Sequence, residues 1–89
     1  MAIKKVLIVD DSETDLLYLS EILEKAGFTV ITADSGEASL VKAEAEMPDL
    51  VLMDIIMPGM TGFQATRALA KNPKTEHIPV IVCTGKAVT

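Results

Sequence analysis

Tryptophan is absent from the 89-residue chain, and one tyrosine and two phenylalanines are its only aromatic residues. A core built from this sequence has to be aliphatic. The single cysteine, Cys83, excludes an internal disulfide and agrees with a reducing compartment. The single histidine, His77, sits among polar turn residues with no second ligand nearby, which speaks against a metal role for it. No apolar run approaches the roughly 20 residues of a membrane span. The segment after Lys4 and Lys5 is also too short for a secretory signal. The expected location is therefore cytoplasmic, with no membrane partner. Basic residues are few and scattered: 8 Lys and Arg against 13 Asp and Glu give a net charge of -5. That balance argues against a nucleic-acid surface, which needs clustered cations, and for a protein partner or a metal cation.

What remains is strongly apolar for so small a domain, 49% hydrophobic with a mean hydropathy of +0.38. The stretch that organises it is Leu50-Val51-Leu52-Met53-Asp54. Its branched apolar run reads as a strand buried on both faces, as in a parallel sheet. An ionised carboxylate ending such a strand is costly without a cation or donors nearby, and carboxyl ends of parallel strands are where open α/β sheets bind ligands. Asp54 is therefore the candidate chemical centre. Pro58-Gly59 turns the chain into a loop just beyond it.

The rest of the chain alternates strand and helix. Val6–Val9 form a first strand stopping at Asp10-Asp11. Ser12 caps a helix by accepting from the amide of Asp15 or its neighbour, with Glu13 and Asp15 in the positive first turn. Leu16, Leu19, Ile22, Leu23 and Ala26 make that helix's apolar face, and Gly27 suits the left-handed position after it. Phe28–Ala33 is a second, β-branched strand. Ser35 and Gly36 open a second helix, closed at Met47-Pro48 because a residue before proline avoids helical angles. Thr61-Gly62-Phe63-Gln64 reads as a capping box opening a third helix that ends at Asn72-Pro73. Ile78–Thr84 is a fourth apolar strand. The β-α-β-α-β-α-β order implies parallel strands joined by right-handed crossovers, hence a doubly wound sheet in one α/β domain over residues 1–89.

In that topology Asp10, Asp11, Asp54 and Thr84 all fall at carboxyl ends of strands and converge on one edge. Three carboxylates in one crevice repel one another unless a divalent cation joins them. Mg²⁺ fits best, a hard ion that takes one or two carboxylates, keeps several waters and accepts phosphate oxygens. A carboxylate beside it can attack a phosphoryl group and form an aspartyl phosphate. Thr84 could donate a hydroxyl hydrogen bond to the new phosphate.

Three segments together resemble the response-regulator receiver domain: Val6–Ser12, Pro48–Gly62 and Ile78–Thr84. Gly62-Phe63-Gln64-Ala65-Thr66-Arg67 is similar to the stand-alone regulators of type IV pilus twitching systems. The resemblance implies a flavodoxin- or CheY-like sheet with its strands in the order 2-1-3-4, and a phosphoprotein of two-component signal transduction. It implies that Asp54 is the phosphoacceptor and that Asp11, Asp54 and the backbone carbonyl of Ile56 hold Mg²⁺. Asp10 would act through metal-bound water, Thr84 would be the switch hydroxyl, and Pro58 and Gly59 would shape the loop. A histidine kinase or small phosphodonor would supply the phosphoryl group, and a downstream protein would read it.

The chain departs from that family after its fourth strand, where a helix, a fifth strand ending in a lysine, and a last helix are missing. Lys86 follows Thr84 too closely to stand in for the phosphate-pairing lysine. The expectation is a receiver truncated after its fourth strand, impaired in phosphorylation and switching, and forming a homo-oligomer through the exposed fourth-strand edge. Three other readings stay open: a phosphorylation-independent binding or assembly module, an inert folding fragment of a receiver, and a hydrolase with an aspartyl-phosphate intermediate. Haloacid-dehalogenase-like phosphatases carry a second Asp two residues after the nucleophile; here that position is Ile56, which ranks the enzyme reading last.

Overall fold

The computed structural model describes residues 2–83. Seven elements alternate along them: β1 (Lys5–Val9), α1 (Glu13–Lys25), β2 (Thr29–Ala33), α2 (Gly36–Glu46), β3 (Leu50–Asp54), α3 (Gly62–Lys71) and β4 (Val80–Cys83). The four strands run parallel in the order β2-β1-β3-β4, the doubly wound arrangement expected from the sequence.

Burial on both faces explains why β1 carries no alternation: Val6, Leu7, Ile8 and Val9 are all buried. Leu7 and Val9 join Val51 and Met53 on one face, where they pack with Ala43 of α2 and with Ala65 and Leu69 of α3. The close-packing residues on the helices are small, which lets α2 and α3 approach an aliphatic sheet. Met57 also joins this cluster, while Met60 packs against it, so these methionines fill core and loop.

The other face is less covered. α1 packs on β1 and β2, leaving a groove of about 340 Å³ bordered by Ile8, Tyr18, Leu19, Leu52 and Cys83. None of the residues of α1 is buried. Leu16, Leu19 and Leu23 are half-buried as its apolar stripe predicts, whereas Ile22 and Ala26 are exposed, because among the described residues the helix packs chiefly on β1 and β2 with a stripe wider than that contact. Cys83 is likewise half-buried at the groove, not in the core where a small hydrophobe is expected. The strand it ends has β3 as its one neighbour among the described residues.

Element ends follow local chemistry. Ser12 accepts from the Asp15 amide, and Thr61 and Gln64 form the complete capping box. Gly27 takes φ 101° after α1. Met47 closes α2 in the left-handed region, φ 48° and ψ 62°, with its amide donating to the Ala43 carbonyl. β4 begins at Val80, two residues later than expected, because the Ile78 amide donates to the Thr75 carbonyl at 3.0 Å and Pro79 has no amide to give. At the amino end of the sheet, the Asp49 carboxylate accepts from the amides of Lys4 and Lys5, both at 2.9 Å. These bonds hold the Asp49 carboxyl below its ordinary range.

Candidate phosphoacceptor and metal site

Each acidic residue reaches the site because a strand stops there. Val9 and Met53 are partners in the β1–β3 ladder, so Asp10 and Asp54, one residue further along, end adjacent strands side by side. The Asp10 amide donates to the Ala33 carbonyl at 3.1 Å, continuing the bonding toward β2. Its carboxylate Oδ1 accepts from the Ser12 amide at 2.9 Å, a local turn that carries the chain into α1. Asp11 lies between them and is exposed.

The result is a graded cluster. Asp10 and Asp54 are 8% and 6% exposed, Asp11 faces solvent, and one carboxylate oxygen from each lies within 4.8 Å of the others. Like charges so close, two of them away from water, raise the free energy of the ionised set. Three hard oxygen donors are also what Mg²⁺ selects over softer metals, and the exposed Asp11 leaves a path for entry and for waters to stay bound. The donor set therefore fits a divalent cation. Its field is felt next door: the Cys83 thiol is pushed up by burial first and then by the negative charges of Asp54 and Asp10.

The loop after Asp54 is pinned at its base. The Ile55 amide donates to the Cys83 carbonyl at 3.3 Å, and the Gly62 amide donates to the Ile55 carbonyl at 2.9 Å. A side chain on Gly62 would overlap the Asp54 carbonyl. Gly59 takes φ 75°, a conformation that glycine adopts at no steric cost, and Pro58 and Ile56 are exposed. Thr84 and Lys86 lie outside the described residues. His77 is exposed in its turn and belongs to no acidic or metal-ligating cluster among the described residues. The sequence reading misses the close approach of Gly62 to the Asp54 carbonyl, treating this glycine only as a helix start. Its one signal is a glycine spent on the first helical position, where better helix formers are available.

Fold and site together define a doubly wound α/β domain whose carboxyl edge gathers three carboxylates in a cluster that could hold a cation. Residues 6–89 match the response regulator receiver domain. Protein PilH of Pseudomonas aeruginosa is 51% identical over 82 residues, covering 92% of this chain and 68% of that protein. Response regulator PleD of Caulobacter vibrioides is 40% identical over 80 residues, covering 90% of this chain and 18% of that protein. Among solved structures, the N-terminal domain of a response regulator receiver protein from Methanoculleus marisnigri superposes with a TM-score of 0.91 at 39% identity. That alignment covers 99% of this chain and 72% of the other. The chain belongs to the response-regulator receiver family, the phosphoacceptor domains of two-component signalling. The likeness to PilH bears out the resemblance to pilus regulators.

Proposed function

We propose that Asp54 accepts a phosphoryl group from a histidine kinase or small phosphodonor, at a site where Asp11, Asp54 and the Ile56 carbonyl hold Mg²⁺. The observation that carries this reading is the meeting of Asp10, Asp11 and Asp54 within 4.8 Å at the carboxyl edge of the sheet. A bound Mg²⁺ supplies positive charge to the phosphoryl oxygens and offsets the repulsion among the carboxylates. An oxygen of Asp54 forms the new bond to phosphorus as the bond to the donor's nitrogen or oxygen breaks, and the donor leaves with that electron pair. Asp10, with Oδ1 already engaged by the Ser12 amide, acts through metal-bound water. Pro58 and Gly59 turn the loop so that the Ile56 carbonyl serves the cation. The Thr84 hydroxyl donates a hydrogen bond to the phosphate. The chain is thus a signalling phosphoacceptor and not a turnover enzyme; Ile56 occupies the place where a hydrolase of this chemistry carries its acid.

The partners are a kinase and a protein target, and the setting is cytoplasmic. Among the described residues no helix is long and apolar enough to cross a membrane, and the net charge of -5 disfavours nucleic acid. We also propose self-association through β4. Supporting this, β4 has β3 as its one neighbour among the described residues, and its Ile81 is 51% exposed. An uncovered apolar edge favours pairing with another chain. Light scattering at micromolar concentration tests it: a dimer or larger species is expected, and a stable monomer overturns it.

The test of phosphoacceptance is intact mass after incubation with acetyl phosphate and Mg²⁺, with circular dichroism showing that each protein is folded. A phosphoryl adduct on the parent and none on Asp54→Asn is expected. A folded parent without adduct, or an adduct that persists in Asp54→Asn, overturns the assignment. Partner binding unchanged by Asp54→Asn would favour the assembly module instead.

A further inference from the structure

Gly36, the first residue of α2, is remote in sequence from the acidic residues and is buried. A Cβ placed on it would stand 2.9 Å from both Cβ and Cγ of Met60 and 3.1 Å from the Met60 carbonyl oxygen. Side chains do not approach so closely, so the loop after Asp54 reaches α2 only because residue 36 has none. The next residues on each side repeat the contact. A Cβ on Gly59 would lie 3.3 Å from Oε2 of Glu37. Two consecutive residues of α2 thus abut two consecutive residues of the loop. The helical turn that receives them is itself held, with the Ser39 hydroxyl donating to the Gly36 carbonyl at 2.6 Å.

The loop is therefore fixed at both of its free dimensions. Its base is closed by the Gly62 amide on the Ile55 carbonyl, and its far side rests on α2 through Met60, which also packs against the core. Ile56 lies between these two anchors. A carbonyl that serves a cation has to be held to within about half an ångström by its surroundings. Glycine is a poor helix former, and the close approach of Met60 is a physical reason for its presence at position 36.

We propose that Gly36 is a positioning residue of the acidic site: by admitting Met60 against the first turn of α2, it sets the loop that presents the Ile56 carbonyl beside Asp54. This rests on the reading of that carbonyl and the carboxylates as a Mg²⁺ site. Gly36→Ala pushes Met60 and its loop outward, and Met60→Ala trims the contact from the other side by taking away Cγ and the rest of the side chain. Either change loosens the same ligand.

The experiment is calorimetric titration with Mg²⁺ of the parent, Gly36→Ala, Met60→Ala and the double variant, with thermal unfolding of each in EDTA. Gly36→Ala is expected to raise the Mg²⁺ dissociation constant about tenfold, in the range seen when groups that orient metal ligands are altered. Met60→Ala is expected to raise it as well, and it introduces no overlap that could prevent folding. In the double variant Cγ of residue 60 is gone, but its Cβ and carbonyl oxygen still face the new methyl, so Mg²⁺ affinity is expected to stay at least as low as in Gly36→Ala alone. A merely structural role would move the unfolding temperature in EDTA and leave Mg²⁺ affinity alone. Unchanged affinity in Met60→Ala, or a double variant that binds Mg²⁺ as tightly as the parent, overturns the inference while the site assignment stands. A folded parent that binds no Mg²⁺ overturns the site assignment and this inference with it.

Discussion

Asp54 and Cys83 are direct partners across the β3–β4 ladder, on the last rung of the sheet's edge. The relationship makes a thiol the neighbour of the Asp54 carboxylate. Burial raises the Cys83 pKa first, and Asp54 and then Asp10 raise it further. The reactive thiolate is therefore suppressed at neutral pH. Alkylation of Cys83 by iodoacetamide, followed by mass across pH 7 to 10, is expected to be slow in the parent. It should be faster in Asp54→Asn, which removes the largest charge contribution. Equal rates would show that Asp54 does not act on the thiol.

Asp11 and Asp10 should separate in their effects. Asp11→Ala removes the exposed carboxylate of the acidic cluster and, on the proposed Mg²⁺ site, is expected to weaken Mg²⁺ binding at least about tenfold with little change in unfolding temperature. Asp10→Ala also strips the Ser12 amide of its acceptor, so it should cost stability by about 1 kcal/mol. Urea unfolding and Mg²⁺ titration of both variants check the split.

Gly62→Ala should be severe. The added methyl meets the Asp54 backbone carbonyl, which no rotamer change can relieve. A loss of about 3 kcal/mol or more is expected, with the urea midpoint as the measurement. A midpoint within error of the parent would show that the strand end and the helix start can move apart.

Acid stability should report the Asp49 tie. Its folded pKa is depressed by the amides of Lys5 and Lys4, so its contribution is fully present above the ordinary value of 3.8 and is lost as pH falls through the lower folded value. Glu44, depressed by hydrogen bonds from Asn72 and Lys74 and by the charge of Lys74, acts in the same direction below 4.5. Unfolding temperature followed from pH 6 down to pH 2 should fall less steeply in Asp49→Asn than in the parent, the two curves converging at the acid end. A constant difference across the range would contradict the assignment.

Removing the capping box tests local against tertiary control of α3. Thr61→Ala leaves the Gln64 amide without its acceptor and should cost about 1 kcal/mol. The readout is the shift in urea midpoint at unchanged slope.

Much of this molecule is a local matter and was legible in the chain. Ser12, Ser35 and Thr61 announce three helices because their side-chain oxygens accept from amides three residues ahead. Gly27 and Pro48 mark ends because backbone sterics leave few alternatives. Strands without alternation fix a parallel sheet, and a parallel sheet brings Asp10, Asp11 and Asp54 to one edge, since β-α-β crossovers have one hand. The acidic site followed from topology alone.

What the sequence could not carry are the distances between segments far apart in the chain. The half-burial of α1 depends on how many strands that helix covers. Cys83 is half-buried because β4, which it ends, has β3 as its one strand neighbour among the described residues, a fact of pairing that apolar letters alone do not reveal. The seat of Met60 on Gly36 depends on where α2 and the loop after Asp54 meet in space. Hydrogen-bonding and steric preferences act over a few residues and can be read in order; packing acts between surfaces that only the folded chain brings together.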